Sequence, residues 1–436
     1  MKKQIKKSVA APAIAKARAD KKVELLAPAG NLEKMKTAFA FGADAVYVGV
    51  PDFSLRVRIN DFTLDRIAEA TKYAHGLGKK LYVTVNIFAH NSHIDKLPTH
   101  IKELKTIKVD GIFISDPAVM LIVKKNWPEA KIVLSTQANC TNWLAAKYWY
   151  DQGMKRVILS RELSLADVKE IKKRVPKLEL ECFVHGALCM AYSGRCFLSK
   201  YFTDRNANLG DCVQPCRWQY DVYLTEKNRK KERLELVEEE HGSYILNSQD
   251  LCLIKRLEEL VGAGVDALKI EGRAKSVYYL GNVIGAYRQA IDIVYSRKLD
   301  KEKKKILNYL YKELDDKMFH RGYTEGFMFN QGKLAQNIDD SHKYPEWEFC
   351  GQVLESKKVK SNYQTVIAVH NTIKAGDQIE IIQPPYNIIK IKIKKMIDEH
   401  SGKILAEAHG GAKQKIMIET NKLIPKLSLL RRKLKI

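Results

Sequence analysis

The chain has 436 residues, and 45% of them are hydrophobic, which excludes a wholly disordered protein. It carries 75 Lys and Arg against 51 Asp and Glu, and this net charge of +24 indicates an anionic partner, either nucleic acid or an acidic membrane surface. A simple excess of surface lysine is the alternative. The sequence has no run of about 18 apolar residues, so we expect no membrane span.

The chain begins with a basic segment. Residues 1–22 contain eight Lys or Arg and one acidic residue. The short apolar run within it is interrupted by Pro12, which argues against a secretory signal. We therefore expect a disordered basic tail that contacts RNA, in a cytoplasmic protein.

Residues 23–330 alternate between strand and helix patterns. Eight strands rich in Val, Ile, Leu and Ala, beginning with KVELLAPAG, are each followed by a helix. Similar phrases recur where helices lead into strands, namely FGADAVYV, KVDGIFIS and GAGVDALKI. Continuous apolar runs are typical of buried parallel strands. The repeat predicts an α/β fold, a TIM-like (β/α)8 barrel, with an open doubly wound sheet as the alternative.

A barrel of this type carries its active site at the carboxyl ends of its strands. Polar residues stand at these ends, and others, such as Asn31, are positioned to cap the following helix. The candidate catalytic residues are Gln137, His185 and Glu271. The candidate substrate-binding residues are Asn86, Asn139, Arg161, Arg217 and Arg273.

The pattern changes near residue 345. Short β-branched segments separated by turns such as KAGD and HGGAK predict a small antiparallel β-barrel over residues 345–420. Residues 421–436 form a basic amphipathic tail. We expect this tail to be either an RNA-contacting arm or a surface helix.

Cysteines cluster after the seventh predicted strand. Five of the eight lie between residues 182 and 216, in an insertion that spans residues 182–220. The four widely spaced ones are Cys189, Cys196, Cys212 and Cys216. Four thiolates suit zinc or an iron–sulfur cluster, and the absence of tight Cys-x2-Cys pairs favours iron–sulfur. Cys252 is the rival for the fourth ligand position.

Aromatic residues accompany these cysteines. Tyr192, Tyr201, Trp218 and Tyr220 lie in or next to the insertion. They either stack on nucleic-acid bases or pack in the core.

The cysteine block also supports a family resemblance. The phrases ECFVHGALC and SGRCFLS, together with ELLAPAGN, GDCVQPCRWQY, KIEGRAKS and HRGYTEGFMF, resemble the collagenase-like peptidase "U" family of unknown catalytic type. The resemblance covers about residues 23–330 and continues into the C-terminal domain. Several members of that family are iron–sulfur proteins that hydroxylate RNA bases or a quinone precursor.

The resemblance implies a function. It implies a 4Fe-4S cluster on Cys189, Cys196, Cys212 and Cys216, with prephenate as co-substrate. It further implies that the enzyme binds the tRNA anticodon loop and converts the wobble uridine to 5-hydroxyuridine. His185 and Glu271 match family motifs. The alternatives are a collagenase-like peptidase, a non-catalytic RNA-binding module and a quinone-precursor hydroxylase. The high positive charge and the absence of His-Glu-x-x-His and Gly-x-Ser-x-Gly motifs favour RNA modification.

Overall fold

The fold was analysed in a computed structural model of the chain. The structure describes residues 22–55, 61–189, 191, 195–218, 220, 223–225, 233–235, 247–330 and 342–434. The predicted N-terminal tail, apart from Lys22, lies outside these residues. Among the described helices, none is both long enough and apolar enough to cross a membrane.

Within the described residues, eight parallel strands close into a barrel. They are β1 (Glu24–Pro28), β2 (Ala45–Gly49), β3 (Lys80–Val85), β4 (Gly111–Ile114), β5 (Ile132–Leu134), β6 (Arg156–Ile158), β7 (Glu179–Gly186) and β11 (Ala267–Ile270). β11 pairs in parallel with both β1 and β7, and these two ladders close the ring. The predicted TIM-like barrel is confirmed, and the open sheet is excluded.

Helices follow the barrel strands and cover the outer surface. They are α1 (Leu32–Ala40), α2 (Leu64–Gly76), α3 (Asn91–Ile94), α4 (Leu97–Ile107), α5 (Pro117–Asn126), α6 (Trp143–Asp151), α7 (Leu165–Arg174), α8 (Leu198–Thr203), α9 (Leu257–Gly262), α10 (Val277–Val294), α11 (Asp300–Lys317) and α12 (Gly326–Phe329). The side chains of Asn31 and Asp116 accept hydrogen bonds from backbone N–H groups in the first turns of α1 and α5. These two polar residues at strand ends are therefore helix caps.

The insertion after β7 holds the cysteine block. It includes α8, a 3-10 turn over Pro215–Arg217, and the short hairpin of β8 (Tyr223–Thr225) and β9 (Arg233–Glu235). The chain then returns as β10 (Asp250–Cys252), antiparallel to the end of β7, and β12 (Tyr323–Thr324) pairs with β10.

The C-terminal part is an antiparallel β domain, as predicted. Its strands are β13 (Trp347–Val359), β14 (Asn362–Val369), β15 (Ile373–Lys374), β16 (Gln378–Gln383), β17 (Asn387–Lys392), β18 (Met396–Asp398), β19 (Ile404–Leu405), β20 (Glu407–Ala408), β21 (Lys415–Thr420) and β22 (Leu429–Lys433). The main sheet has the order β17-β16-β22-β13-β14-β21-β18-β19.

The expectation of a basic tail over residues 421–436 was wrong. β22 lies within the sheet, between β13 and β16. Arg431 is fully buried, and its guanidinium pairs with Glu313 of α11 at 2.5 Å and with Glu380 of β16 at 2.7 Å. These carboxylates neutralise the arginine, so the segment packs as a strand and joins the two domains through a buried ion network.

Candidate functional site

A cavity of about 140 Å³ opens at the carboxyl ends of the barrel strands. Six predicted site residues line it, namely Asn86, Gln137, Arg161, Cys189, Glu271 and Arg273. Nine further residues complete the lining, namely Tyr47, Leu55, Thr84, Phe113, Ser135, Thr136, Ile158, Phe183 and Lys269. A cavity of about this volume accommodates one benzene-sized ring.

Arg273 is held against one wall of the cavity. Its Nη1 donates to Ser54 Oγ and Thr84 Oγ1, each at 3.4 Å, and its Nη2 donates to the carbonyl of Leu55. A Cβ atom on Gly49 would lie 2.2 Å from Nη1 of Arg273. β2 therefore needs glycine at this position, because any side chain would displace the guanidinium.

Arg161 lies on another wall. Its guanidinium carbon is 3.9 Å from the centre of the Phe183 ring. Its buried Nε has no hydrogen-bond partner among the described residues. A cation whose buried Nε is an unused donor is a site at which an anionic ligand gains a charge-assisted hydrogen bond.

Lys269 is a buried cation whose role the sequence analysis missed. Its Nζ is 3.8 Å from the centre of the Phe113 ring and 3.2 Å from Glu181 Oε1. Burial lowers the pKa of Lys269 to about 8, although the charge of Glu181 acts in the opposite direction. A lysine inside the apolar strand ALKI was the available signal, because an isolated charge is costly in a buried strand.

The lining of the cavity is cationic. Arg161, Lys269 and Arg273 outnumber the single carboxylate, that of Glu271. Glu181 pairs with Lys269 from inside the barrel and is fully buried, so it does not face the cavity opening. The arrangement suits a small anion, above all one with carboxylate groups that two arginines can bind through paired hydrogen bonds.

His185 is not among the residues that line this cavity. The ladder between β7 and β11 shifts register, so that Lys269 is opposite Phe183 and Ile270 is opposite His185. This irregularity reverses the alternation of side chains, and His185 packs among the rings of Tyr279, Tyr287 and Tyr323. Burial lowers the pKa of His185 to about 3, which keeps the imidazole neutral at physiological pH.

Asn139 and Arg217 also lie outside the cavity lining. Asn139 has a left-handed backbone with a φ of 50°, and its Nδ2 donates to the carbonyl of Gln137 at 3.3 Å. It therefore supports the loop that carries Gln137. Arg217 follows Cys216 in the 3-10 turn and belongs to the cysteine block.

The structure places Cys189, Cys196 and Cys212 close enough to Cys216 for their charges to act on its pKa. Burial raises the pKa of Cys216, Arg217 lowers it, and the thiols of Cys189, Cys212 and Cys196 raise it further. The backbone N–H of Gln214 donates to Cys212 Sγ at 3.3 Å. Of the four, only Cys189 lines the cavity, so the thiol block reaches the cavity through this residue.

The thiols of the described residues do not form a preassembled metal-ion site. Sulfur ligands of tetrahedral zinc lie about 3.8 Å apart, given Zn–S bonds of about 2.3 Å. In the described part of the chain, no three Cys, His, Asp or Glu side chains form a group that could hold one metal ion.

Cys252 stands apart from this block. It is 3% exposed, its Sγ is 3.9 Å from the hydroxyl of Tyr287, and burial raises its pKa to about 12. The groups that act most strongly on the pKa of Cys216 include the thiols of Cys189, Cys212 and Cys196. These contacts favour Cys216 over Cys252 as the fourth ligand.

Aromatic rings beside the thiols form an exposed surface that we call the aromatic platform, made of Tyr201, Phe202, Trp218 and Tyr220. The ring of Phe202 contacts the other three at centroid distances of 5.2, 6.0 and 6.3 Å. Tyr201 is 83% exposed and Trp218 is 40% exposed, so neither is core packing. Phe202 was missed in the sequence, and Tyr192 lies outside the described residues.

The chain is similar to known proteins along most of its length. Residues 30–337 match Peptidase family U32, and residues 345–431 match the Peptidase family U32 C-terminal domain. It is 40% identical to tRNA hydroxylation protein P of Escherichia coli, covering 84% of this chain and 87% of that protein. It is 39% identical to the protein of that name from Haemophilus influenzae, covering 86% and 89%. It is 33% identical to 23S rRNA 5-hydroxycytidine C2501 synthase of Escherichia coli, covering 83% and 52%.

Proposed function

Because this chain belongs to the peptidase U32 family, and to the part of it that includes named RNA hydroxylation proteins, we propose that it is an RNA-modifying enzyme that hydroxylates a base. In its specific form, the proposal is that the chain converts the wobble uridine of tRNA to 5-hydroxyuridine, with prephenate as co-substrate and a 4Fe-4S cluster as cofactor. One observation carries it: Cys189 belongs both to the thiol block and to the lining of the cationic cavity.

The overall reaction replaces a C5–H bond of the base with a C5–OH bond and removes two electrons from the base. With water as the oxygen source, this oxidation releases two electrons and two protons. Ordinary side chains cannot accept these electrons, so the proposal requires a redox cofactor that passes them, one at a time, to an external electron acceptor. When bound, a 4Fe-4S cluster would supply one-electron transfer next to the cavity. Cys189, Cys196, Cys212 and Cys216 would hold it.

The residues around the thiols fit such a cofactor. The backbone hydrogen bond from Gln214 to Cys212 Sγ stabilises thiolate charge. Arg217 lowers the pKa of the neighbouring Cys216, against the effect of burial. A cationic neighbour of this kind offsets the negative charge of four thiolates.

The cavity lining suits prephenate, which carries two carboxylates. Arg161 has an unused buried Nε, and Arg273 presents a second guanidinium fixed by Ser54 and Thr84. In the proposal these arginines bind the carboxylates, and Lys269 adds positive charge at the floor of the cavity. Glu271 is the carboxylate available to take or return a proton at this site.

The aromatic platform suits unpaired RNA bases. A base that reacts at the mouth of the cavity, beside the space assigned to prephenate, must leave its stack, and the anticodon loop is already single-stranded, which lowers the cost. Tyr201 and Trp218 expose ring faces on which neighbouring bases can stack. The names of the relatives, which refer to tRNA and to 23S rRNA, support an RNA substrate.

The described residues do not favour a thiol peptidase. Cys252 lies across from His185 in the ladder between β7 and β10, which is the pairing a cysteine–histidine dyad would need. However, Cys252 is buried, and its raised pKa of about 12 makes the thiolate scarce at neutral pH.

The proposal is tested by anaerobic reaction of the cluster-loaded protein with unmodified tRNA, prephenate and a soluble one-electron acceptor in excess, followed by mass spectrometry of the nucleosides. We expect uridine to gain one oxygen atom at the wobble position, and the product to disappear when prephenate is omitted. A tRNA with cytidine at that position is the control. Absence of any oxygenated nucleoside with iron-replete protein would refute the proposal.

The ligand assignment is tested in the same preparation by iron counting. Cys216→Ala should lose the bound iron and the visible absorbance, whereas Cys252→Ala should retain both. The reverse result would make Cys252 the fourth ligand.

A further inference from the structure

The C-terminal domain contains a groove of about 480 Å³ that shares no lining residue with the barrel cavity. It runs along β17 and the residues that follow it, and it is bounded on the other side by the end of β21. Four lysines line it, namely Lys390, Lys392, Lys394 and Lys395, and we call it the lysine groove.

The positive charge of the lysine groove is largely unopposed. Among the described residues, no carboxylate lies within 4.0 Å of the ammonium groups of Lys392, Lys394 or Lys395. Lys390 is 3.7 Å from Glu380, but that carboxylate is already bound by Arg431 at 2.7 Å. Glu419, the one acidic residue in the lining, accepts a hydrogen bond from the Asn362 amide.

The spacing of the lysines fits a regular polyanion. Lys390 and Lys392 lie two residues apart on one face of β17, which places them about 6.7 Å apart along the strand. This is close to the separation of neighbouring phosphates along an RNA strand. A concave groove also fits a rod-like backbone better than the flat surface of a membrane.

Protection of a sheet edge is the ordinary reason for lysines on a strand such as β17, which lies at the edge of its sheet. That reason accounts for Lys390 and Lys392. It does not account for Lys394 and Lys395, which follow the end of β17 and face the same groove.

We propose that the lysine groove is a second RNA contact, which binds the sugar–phosphate backbone of the substrate away from the base that enters the barrel. This inference rests on one part of the proposed function, namely that the substrate is RNA. The buried network of Arg431, Glu313 and Glu380 ties the sheet that carries the groove to α11. In the proposal, one RNA molecule contacts both the groove and the barrel. The groove would then select RNA large enough to reach both sites.

The test is tRNA binding by the full-length, cluster-loaded protein at several salt concentrations. We expect Lys394→Glu/Lys395→Glu to weaken tRNA binding about tenfold and to reduce the slope of log affinity against log salt by about 2, one for each phosphate contact. The rate at saturating tRNA should not change, because the cavity is untouched. Lys394→Gln/Lys395→Gln should act in the same direction with a smaller effect.

The matched control is Lys301→Glu/Lys304→Glu on α11, which makes the same charge change at two exposed lysines outside the groove. It should change tRNA affinity less than twofold. Unchanged affinity and salt slope in both groove variants would overturn the proposal, as would loss of binding to phosphatidylserine vesicles without loss of tRNA binding. If the wild-type protein binds tRNA through the groove but forms no oxygenated nucleoside, the proposed function is refuted. The proposal that the groove binds RNA is then still supported.

Discussion

Glu181 and Lys269 form an ion pair in the interior of the barrel, with 3.2 Å between Oε1 and Nζ and both side chains at most 4% exposed. Arg156 approaches the other oxygen of Glu181 at 3.0 Å. Arg156 also pairs with Glu24 at the start of β1 and with Glu179 at the start of β7. A chain of alternating charges therefore runs from the amino ends of the strands to the floor of the cavity.

This chain of charges predicts that substitutions at Glu181 and at Lys269 lower the free energy of unfolding by different amounts. Glu181→Gln should lower the free energy of unfolding by about 3–5 kcal/mol, because it leaves a buried lysine without its carboxylate. Lys269→Met should lower the free energy of unfolding by less, because Glu181 keeps its pairing with Arg156. Urea denaturation of both variants measures the difference, and a larger cost for Lys269→Met would contradict the assigned pairing.

Lys269 should also make anion binding depend on pH. Its pKa, lowered by burial to about 8, means that the cavity loses a positive charge as the pH rises through this value. Between about pH 7 and about pH 9, affinity for prephenate should fall about tenfold, or about 1.4 kcal/mol for one partly screened charge. Isothermal titration calorimetry with prephenate at the two pH values measures this change in affinity. Lys269→Met should bind weakly at both values, and an equally steep fall in this variant would assign the effect to another group.

Glu24 should govern stability in acid. Burial raises its pKa, but the charge and hydrogen bonds of Arg156 and Lys80 outweigh burial and hold the pKa at about 2, against 4.5 for an ordinary glutamate. The unfolded chain therefore binds the extra proton between these values, and stability is lost as the pH falls from 4.5 to about 2. Glu24→Gln should remove about 3 kcal/mol at neutral pH and flatten that slope. Thermal unfolding across the acid range checks both effects; a slope as steep as in the wild type would count against the assignment.

The aromatic platform should contribute to RNA affinity. Tyr201→Ala and Trp218→Ala should each weaken binding of an anticodon stem-loop by about 1–3 kcal/mol, the value of one base stacked on a ring. Fluorescence anisotropy of labelled RNA measures the loss. Tyr148→Ala, which removes a 55% exposed tyrosine from α6, is the control and should bind as the wild type does. Equal losses in all three variants would mean that the platform has no specific role.

The barrel could be predicted from the sequence because the patterns that indicate it lie within short segments of the chain. Each buried strand is a continuous apolar run, and repeated junction phrases mark the units. The polar residues at strand ends Asn86, Gln137, Glu271 and Arg273 line one cavity for the same reason, because parallel strands place their carboxyl ends together.

The sequence could not predict features that depend on distant partners or on backbone irregularity. Arg431 looked like part of a solvated tail because its partners Glu380 and Glu313 lie 51 and 118 residues away. His185 looked like a cavity residue because it stands at the carboxyl end of the seventh strand, where a barrel of this type carries its active site. The register shift near the end of β7 points the His185 side chain away from the cavity, and no sequence pattern predicts such a shift.

The position of β22 has a consequence for synthesis of the protein. The β16–β17 hairpin connects to the remaining strands of its sheet through β22. During translation, β22 is made after every other strand of that sheet. The barrel can therefore close while β16 still lacks the strand with which it pairs. Arg431 arrives at the same moment and completes the junction between the domains. Translation that stalls before this strand would therefore leave a formed barrel with the β16–β17 hairpin packed on it through Tyr386 but with the edge of β16 unpaired and prone to aggregation.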